Sequence, residues 1–194
     1  MDFLNQYTLI LGSKSPRRKQ LLEVLGFSVE IREQFVEEII PENISLEEVP
    51  VYLAKLKASA FPYSEIKQNE VVVTADTAVI LNNLLFGKPK TEAEAIDFLK
   101  KLSGNTHLVV TGVCLKTVDR EHAFSSKTSV TFRKLTDEEI QHYVSEYKPM
   151  DKAGAYGIQE WIGYIGVESI QGSYFNVMGL PTQKLFVELK KMLV

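Results

Sequence analysis

Tyr7-Thr8-Leu9-Ile10-Leu11-Gly12 runs directly into Ser13-Lys14-Ser15-Pro16-Arg17-Arg18. The first six residues are apolar enough for a buried strand. From Pro16 to Leu25, Leu21, Leu22 and Leu25 fall at helical spacing. Ser15 suits the N-cap, Pro16 the first turn and Gly26 the C-terminal stop of that helix. The strand therefore passes through a tight connection into a helix, as in an α/β chain. Arg17 and Arg18 fall in the first turn, where free backbone N–H groups and the positive end of the helix dipole already favour an anion. A basic first turn opposes that dipole and costs stability unless a ligand brings negative charge. This pattern predicts a polyphosphate or nucleotide site.

Working outward, Phe27 to Ile31 reads as a second strand, followed by an acidic loop with Glu37 and Glu38. Ser45-Leu46-Glu47-Glu48 has the form of a capping box and predicts a helix to about Ala60, with Val49, Leu53 and Leu56 on one face. Val71-Val72-Val73 begins a strand expected to end near Asp76. Ala78–Leu81 and Leu84–Phe86 flank Asn82-Asn83, a tight hairpin signal. Thr91 with Glu94 opens a helix to about Leu102, stopped by Gly104, and Thr136 with Glu139 opens another. His107–Leu115 and Phe124–Phe132 read as long antiparallel strands around Asp119-Arg120. Asp151–Tyr174 is expected to form loops and short strands, and Pro181–Leu193 a closing helix. Interleaved strands and helices with a hairpin-rich middle predict an α/β fold with a mixed twisted sheet.

The 194 residues suit one large α/β domain or two closely packed lobes. A 45% apolar and 24% charged composition is that of an ordinary globular protein. The formal net charge of −3 argues against non-specific nucleic-acid binding, although a local basic cluster can still meet phosphates. The single cysteine, Cys114, excludes an intramolecular disulfide and a cysteine-rich metal site, and its apolar surroundings predict a buried, inert thiol. No stretch approaches the ~20 consecutive apolar residues of a membrane span. No signal-peptide pattern opens the chain, so a cytoplasmic protein is expected.

The chemistry-bearing residues are individually unremarkable. A lone carboxylate such as Asp76 at a strand end is most often a turn or cap residue. Lys88, in Gly87-Lys88-Pro89, is by default a solvated loop lysine, and Lys55 and Lys57 are solvated helix residues. Together they place several cations and a few carboxylates in one short-loop α/β fold. Metal-assisted phosphoryl or nucleotidyl transfer needs that mixture: carboxylates for a hard cation, cations for phosphate oxygens, and a carboxylate to orient or deprotonate water. His107, His122 and His142 are not at metal-ligand spacing, and no Walker A or dinucleotide fingerprint is present.

These motifs resemble those of the Maf family of nucleoside triphosphate pyrophosphatases. The resemblance runs from Leu9 to Leu180. It is carried by Ser13-x-Ser15-Pro16-Arg17-Arg18, Ala75-Asp76-Thr77, Lys88-Pro89, Leu102-Ser103-Gly104-x-Thr106-His107, Asp151 through Gln159, and Gly179-Leu180-Pro181. Gly12 stands where the family commonly has alanine, and Thr74 where it often has glycine. The resemblance implies one domain over residues 1–194, built as an elongated mixed sheet flanked by helices, with two lobes around a cleft, similar to the inosine-triphosphate pyrophosphatases. It implies cleavage between the α- and β-phosphates, with Asp76 as proton acceptor. Ser13, Arg17, Lys57 and Lys88 are implied as phosphate ligands, and Glu38 with Asp76 as metal ligands, Glu37 being the alternative register for Glu38. Magnesium or manganese and a homodimer are also implied, with no nucleic acid or membrane as partner.

Arg17, Thr77 and Gln159 match the dTTP/UTP-hydrolysing branch; a branch acting on 7-methyl-GTP carries tryptophan, glutamine and glutamate instead. A glutamine amide offers the donor and acceptor that a uracil or thymine edge requires. The alternative expectation is a nucleotide-binding regulator of septum formation without significant turnover.

Overall fold

The computed structural model describes residues 3–194. After a short helix α1 (Phe3–Gln6), β1 (Thr8–Leu11) leads into α2 (Pro16–Val24) and returns to β2 (Ser28–Ile31). β1 and β2 pair in parallel, Thr8 opposite Ser28 through Leu11 opposite Ile31. Leu9, Ile10 and Leu11 are fully buried, as the apolar run predicts. Ser15 caps α2 by accepting the Arg18 N–H, and Gly26 ends it at φ +90°.

The next elements are α3 (Val49–Ser59), β3 (Glu70–Leu81), β4 (Leu84–Phe86), α4 (Glu92–Leu102), β5 (Thr106–Lys116), β6 (Glu121–Phe132) and α5 (Asp137–Tyr147). The chain closes with α6 (Trp161–Gly166), β7 (Val167–Gln171), α7 (Tyr174–Val177) and α8 (Thr182–Leu193). The seven strands form one mixed sheet in the order β2-β1-β3-β5-β6-β7, with β4 paired to β3. The chain divides into two compact units. One comprises the residues up to Asp76, Thr111–Ser126 and Gly179–Val194; the other comprises Thr77–Val110 and Lys127–Met178. Among the described residues, no helix is long and apolar enough to cross a membrane.

Three expectations change. The strand expected to stop near Asp76 continues to Leu81, so Asp76 lies inside β3 rather than at its end. The strand changes partner there. β1 pairs with β3 in parallel as far as Val73, and β4 pairs antiparallel from Val79. Asp76 stands in the interval between the two pairings. The helix expected to start after Ser45 begins at Val49, because Pro50 has no N–H to offer Leu46. Residues 46–48 form a turn instead, closed by the Glu48 N–H on the Ser45 carbonyl. The glycine-rich stretch after Asp151 contains two short helices, α6 and α7, as well as β7.

Other local signals hold. Asn82 and Asn83 both take positive φ, 49° and 60°, as a tight hairpin turn requires. Thr136 and Glu139 form the complete reciprocal capping box. Cys114 is buried against Ala54 and Ala58, and burial pushes its thiol up to about 12.

Candidate active site

The first unit assembles the site's charges. α2 presents its basic first turn, with Arg17 half-buried beside Arg18. Arg18 reaches across: its Nε donates to the Gly179 carbonyl at 2.9 Å and its Nη1 to the Ala75 carbonyl at 2.8 Å. Nη1 also lies 3.5 Å from Ser13 Oγ, which accepts the Ser15 N–H at 3.2 Å. One guanidinium thus ties the connection after β1, the residue before Asp76, and the turn that opens α8. Burial lowers the Arg18 pKa, Asp76 and Glu38 oppose the drop, and Arg17 adds to it. Arg18 therefore feels both carboxylates and its neighbouring arginine.

Asp76 and Glu38 meet on one lysine. The Lys57 ammonium stands 2.6 Å from Asp76 Oδ1 and 3.2 Å from Glu38 Oε1. The Asp76 side chain is 21% exposed and that of Glu38 47%, so one carboxylate is sheltered and the other reaches in from the acidic loop.

The helix carrying Lys57 is seated by alternate residues of β5. A Cβ at Gly112 would come within 2.2 Å of the Pro50 and Val51 backbone, so only glycine allows α3 to lie this close. Cys114 packs under Ala54 and Ala58. The buried Lys116 donates to the Phe61 carbonyl at 2.6 Å and the Ala58 carbonyl at 3.3 Å, closing the C-terminal end of α3. Thr74 completes the seat, donating its hydroxyl to the Ala54 carbonyl at 2.6 Å.

Gly12 and Thr74 are also neighbours. A Cβ on Gly12 would fall 2.8 Å from the Thr74 methyl and 3.0 Å from the Phe61 ring. The absent side chain at position 12 leaves the room that the Thr74 side chain occupies, an exchange of volume between the end of β1 and β3.

The second unit carries Thr77, Lys88 and Gln159. Thr77 follows Asp76 in β3 and is half-buried. Lys88 is exposed in the turn after β4, where the Gly87 carbonyl accepts the Gly154 N–H at 3.0 Å. This bond joins the Gly87-Lys88-Pro89 turn to the segment that leads to Gln159. Gly154 takes φ +69°, and a Cβ there would meet Val79 at 2.9 Å. Gln159 Oε1 is buried and accepts no hydrogen bond from the described residues.

The structure thus brings together Ser13, Arg17, Arg18, Glu38, Lys57 and Asp76. Arg18, expected with Arg17 to face an anion, also ties backbone segments together. Its signal was its place in the first turn of α2, but its carbonyl partners at Ala75 and Gly179 are distant in sequence. Among the described residues, no three or more His, Cys, Asp or Glu side chains gather as a metal cluster. A cation held by Glu38 and Asp76 would take its remaining ligands from substrate oxygens and water. That is the manner of magnesium, which keeps waters and uses one or two carboxylates with phosphates, and the oxygen donor set here suits it.

The Maf-like protein family model matches residues 8–192. This chain belongs to the Maf-like protein family. A dTTP/UTP pyrophosphatase of Phocaeicola vulgatus is 52% identical over 193 residues, covering 99% of this chain and all of that one. A dTTP/UTP pyrophosphatase of Bacteroides thetaiotaomicron is 48% identical, covering 97% of this chain and 98% of its own. One from Porphyromonas gingivalis strain W83 is 47% identical, covering 98% and 96%. Among solved structures, the Staphylococcus aureus Ham1 protein aligns with a TM-score of 0.49 at 19% identity, over 93% of this chain and 99% of that one.

Proposed function

We propose that this Maf-family protein hydrolyses nucleoside triphosphates, dTTP and UTP preferentially, to the monophosphate and pyrophosphate. The observation that carries the reading is the Lys57 ammonium held between Asp76 and Glu38, in the unit where Arg17 and Arg18 open α2. Relatives named dTTP/UTP pyrophosphatase match this chain at about half of all positions along nearly its full length.

In this reading Ser13, Arg17, Lys57 and Lys88 bind phosphate oxygens. The charges of Arg17, Lys57 and Lys88 and the α2 N-terminus offset the negative charge that builds on the leaving pyrophosphate. Asp76 accepts a proton from the water that attacks the α-phosphorus. The new bond joins that water oxygen to the α-phosphorus, and the bond from the α-phosphorus to the bridging oxygen breaks. Glu38 and Asp76 would hold magnesium or manganese, which when bound would polarise phosphate oxygens. Lys57 exchanges carboxylate partners for phosphate as substrate enters. Arg17, Thr77 and Gln159 set the pyrimidine preference. The proposed working form is a homodimer in the cytoplasm.

The test is a panel of nucleoside triphosphates incubated with the purified protein and magnesium, with products identified by phosphorus NMR. The expected result is UMP or dTMP with pyrophosphate, formed faster than any purine product. Diphosphate with free phosphate would overturn the assigned bond. Binding of UTP without pyrophosphate release would overturn the enzymatic reading.

A further inference from the structure

We infer that Tyr143, Glu160 and Lys152 are positioning residues that lock the Gln159 segment and so set the discrimination between uracil and cytosine. The inference rests on the reading of Gln159 as the amide that meets the base.

A glutamine side chain discriminates between bases only if its amide is held in one orientation, because its oxygen and nitrogen ends can exchange places by rotation. Residues on both sides of Gln159 are tied to a single hydroxyl, Gly157 through its backbone and Glu160 through its side chain. The Gly157 N–H donates to Tyr143 Oη at 3.0 Å, and that hydroxyl donates in turn to Glu160 Oε2. Burial and the Glu160 carboxylate both raise the Tyr143 pKa, keeping the hydroxyl protonated as the donor. Glu160 Oε1 pairs with Lys152 Nζ at 3.0 Å, and the same ammonium meets Asp151 Oδ1 at 2.7 Å. Tyr143 is fully buried and Lys152 nearly so, which makes this a sheltered, paired network rather than a surface ion pair.

Two glycines let the segment fold this tightly. A Cβ at Gly157 would come within 2.7 Å of the Glu160 carboxyl carbon, so the side chain could not fold back over it. A Cβ at Gly163 would come within 1.9 Å of the Ile158 carbonyl oxygen, so α6 packs directly on the residue before Gln159. With its neighbours held in this way, Gln159 Oε1 is buried and meets no donor among the described residues. Uracil and thymine present an N–H at N3 that would donate to it. Cytosine presents a bare acceptor at the same ring position, so two acceptors would face each other. Loosening the network would free the amide to rotate and offer cytosine a donor.

The experiment compares Tyr143→Phe, Glu160→Gln and Gln159→Ala with the parent protein. It measures kcat and KM for UTP and CTP separately, with Tm as a fold check. Tyr143→Phe is expected to reduce the UTP-over-CTP ratio of kcat/KM at least fivefold, mainly through a higher KM for UTP. Glu160→Gln keeps the shape but loses the charge toward Lys152, and is expected to lose selectivity in the same direction by a smaller factor. If Tyr143→Phe folds poorly, Glu160→Gln decides alone. A ratio within twofold of the parent in the folded variants, while Gln159→Ala collapses it, would overturn the network and leave the reading of Gln159 standing. An unchanged ratio in Gln159→Ala would overturn that reading and the inference with it.

Discussion

Asp76 shows what a single residue gains from its place. A strand-end carboxylate would be exposed to solvent, but within β3 it is sheltered, paired with Lys57 and preceded by a carbonyl that Arg18 holds. Asp76→Ala is expected to lower UTP turnover by about 10²–10⁴-fold, the usual worth of a positioned general base, with little change in Tm because Lys57 keeps Glu38 as partner. Retention of more than a tenth of the activity in a steady-state pyrophosphate assay would remove Asp76 from the proton-acceptor role. Arg18 has a different character. Its planar fork serves two carbonyls from different nitrogens, a geometry that one lysine ammonium does not reproduce. Arg18→Lys is expected to lower stability by about 2 kcal/mol, within the range for hydrogen bonds to a charged group, as a lower urea midpoint with an unchanged slope. A midpoint equal to the parent's would show that the two carbonyl bonds contribute nothing.

At the scale of elements, the seat of α3 is built from residues that are small or polar for one reason each. Gly112 admits the helix backbone, Cys114 and the two alanines fill the middle, and Lys116 satisfies carbonyls at the end. The exchange between Gly12 and Thr74 follows the same logic of volume between strands. Gly12→Ala alone is expected to cost about 1–3 kcal/mol by overpacking against the Thr74 methyl and Phe61. Thr74→Gly alone loses a buried hydrogen bond to Ala54. The double variant is expected to lose less than the sum of the two by about 1 kcal/mol, because residues sharing one space do not add. Strict additivity in urea unfolding of the four proteins would show that the two sites are uncoupled.

Across the whole molecule, the sharpest shared property is sensitivity to acid. His107 is buried, with Nε2 on the Tyr156 hydroxyl at 2.7 Å and with the rings of Phe132 and Tyr156 packed edge-on. Burial lowers its pKa from 6.5 to about 4. Glu70 is held down to about 2, first by its hydrogen bonds from Arg32. Both groups bind protons more weakly when folded than when unfolded, so each contributes stability above its unfolded pKa and loses it as the pH falls toward the folded value. The His107 contribution is fully present above pH 6.5, and its loss reaches about 2 kcal/mol by pH 5. The Glu70 contribution is lost below that, between 4.5 and 2. Urea unfolding at pH 7.5, 6 and 5 is expected to show the first loss, and a His107→Gln variant to show much less of it. A flat stability profile from pH 7.5 to 5 in the parent protein would contradict the burial argument.

The local signals of this chain were legible without coordinates because they depend on near neighbours. Ser15, Pro16 and Gly26 bound α2, Asn82-Asn83 turns the hairpin, and Thr136 with Glu139 starts α5, since caps and turns are bonds made within a few residues. The motifs that place the chain in its family were legible for the same reason, as short strings of side chains. Which carboxylate meets which cation was not. Lys57, Glu38 and Asp76 are brought together by a helix seated on β5 and by a strand that changes partner between Val73 and Val79, and Arg18 finds Gly179 across most of the chain. Sequence alone determined the family and most of the elements, because these are written in local spacing, but not the run of β3 past Asp76 or the short helices α6 and α7. The tertiary structure decided the ion pairs and the burial of the Gln159 amide oxygen, which meets no partner among the described residues, because they depend on contacts between segments far apart in the chain and on water excluded by packing.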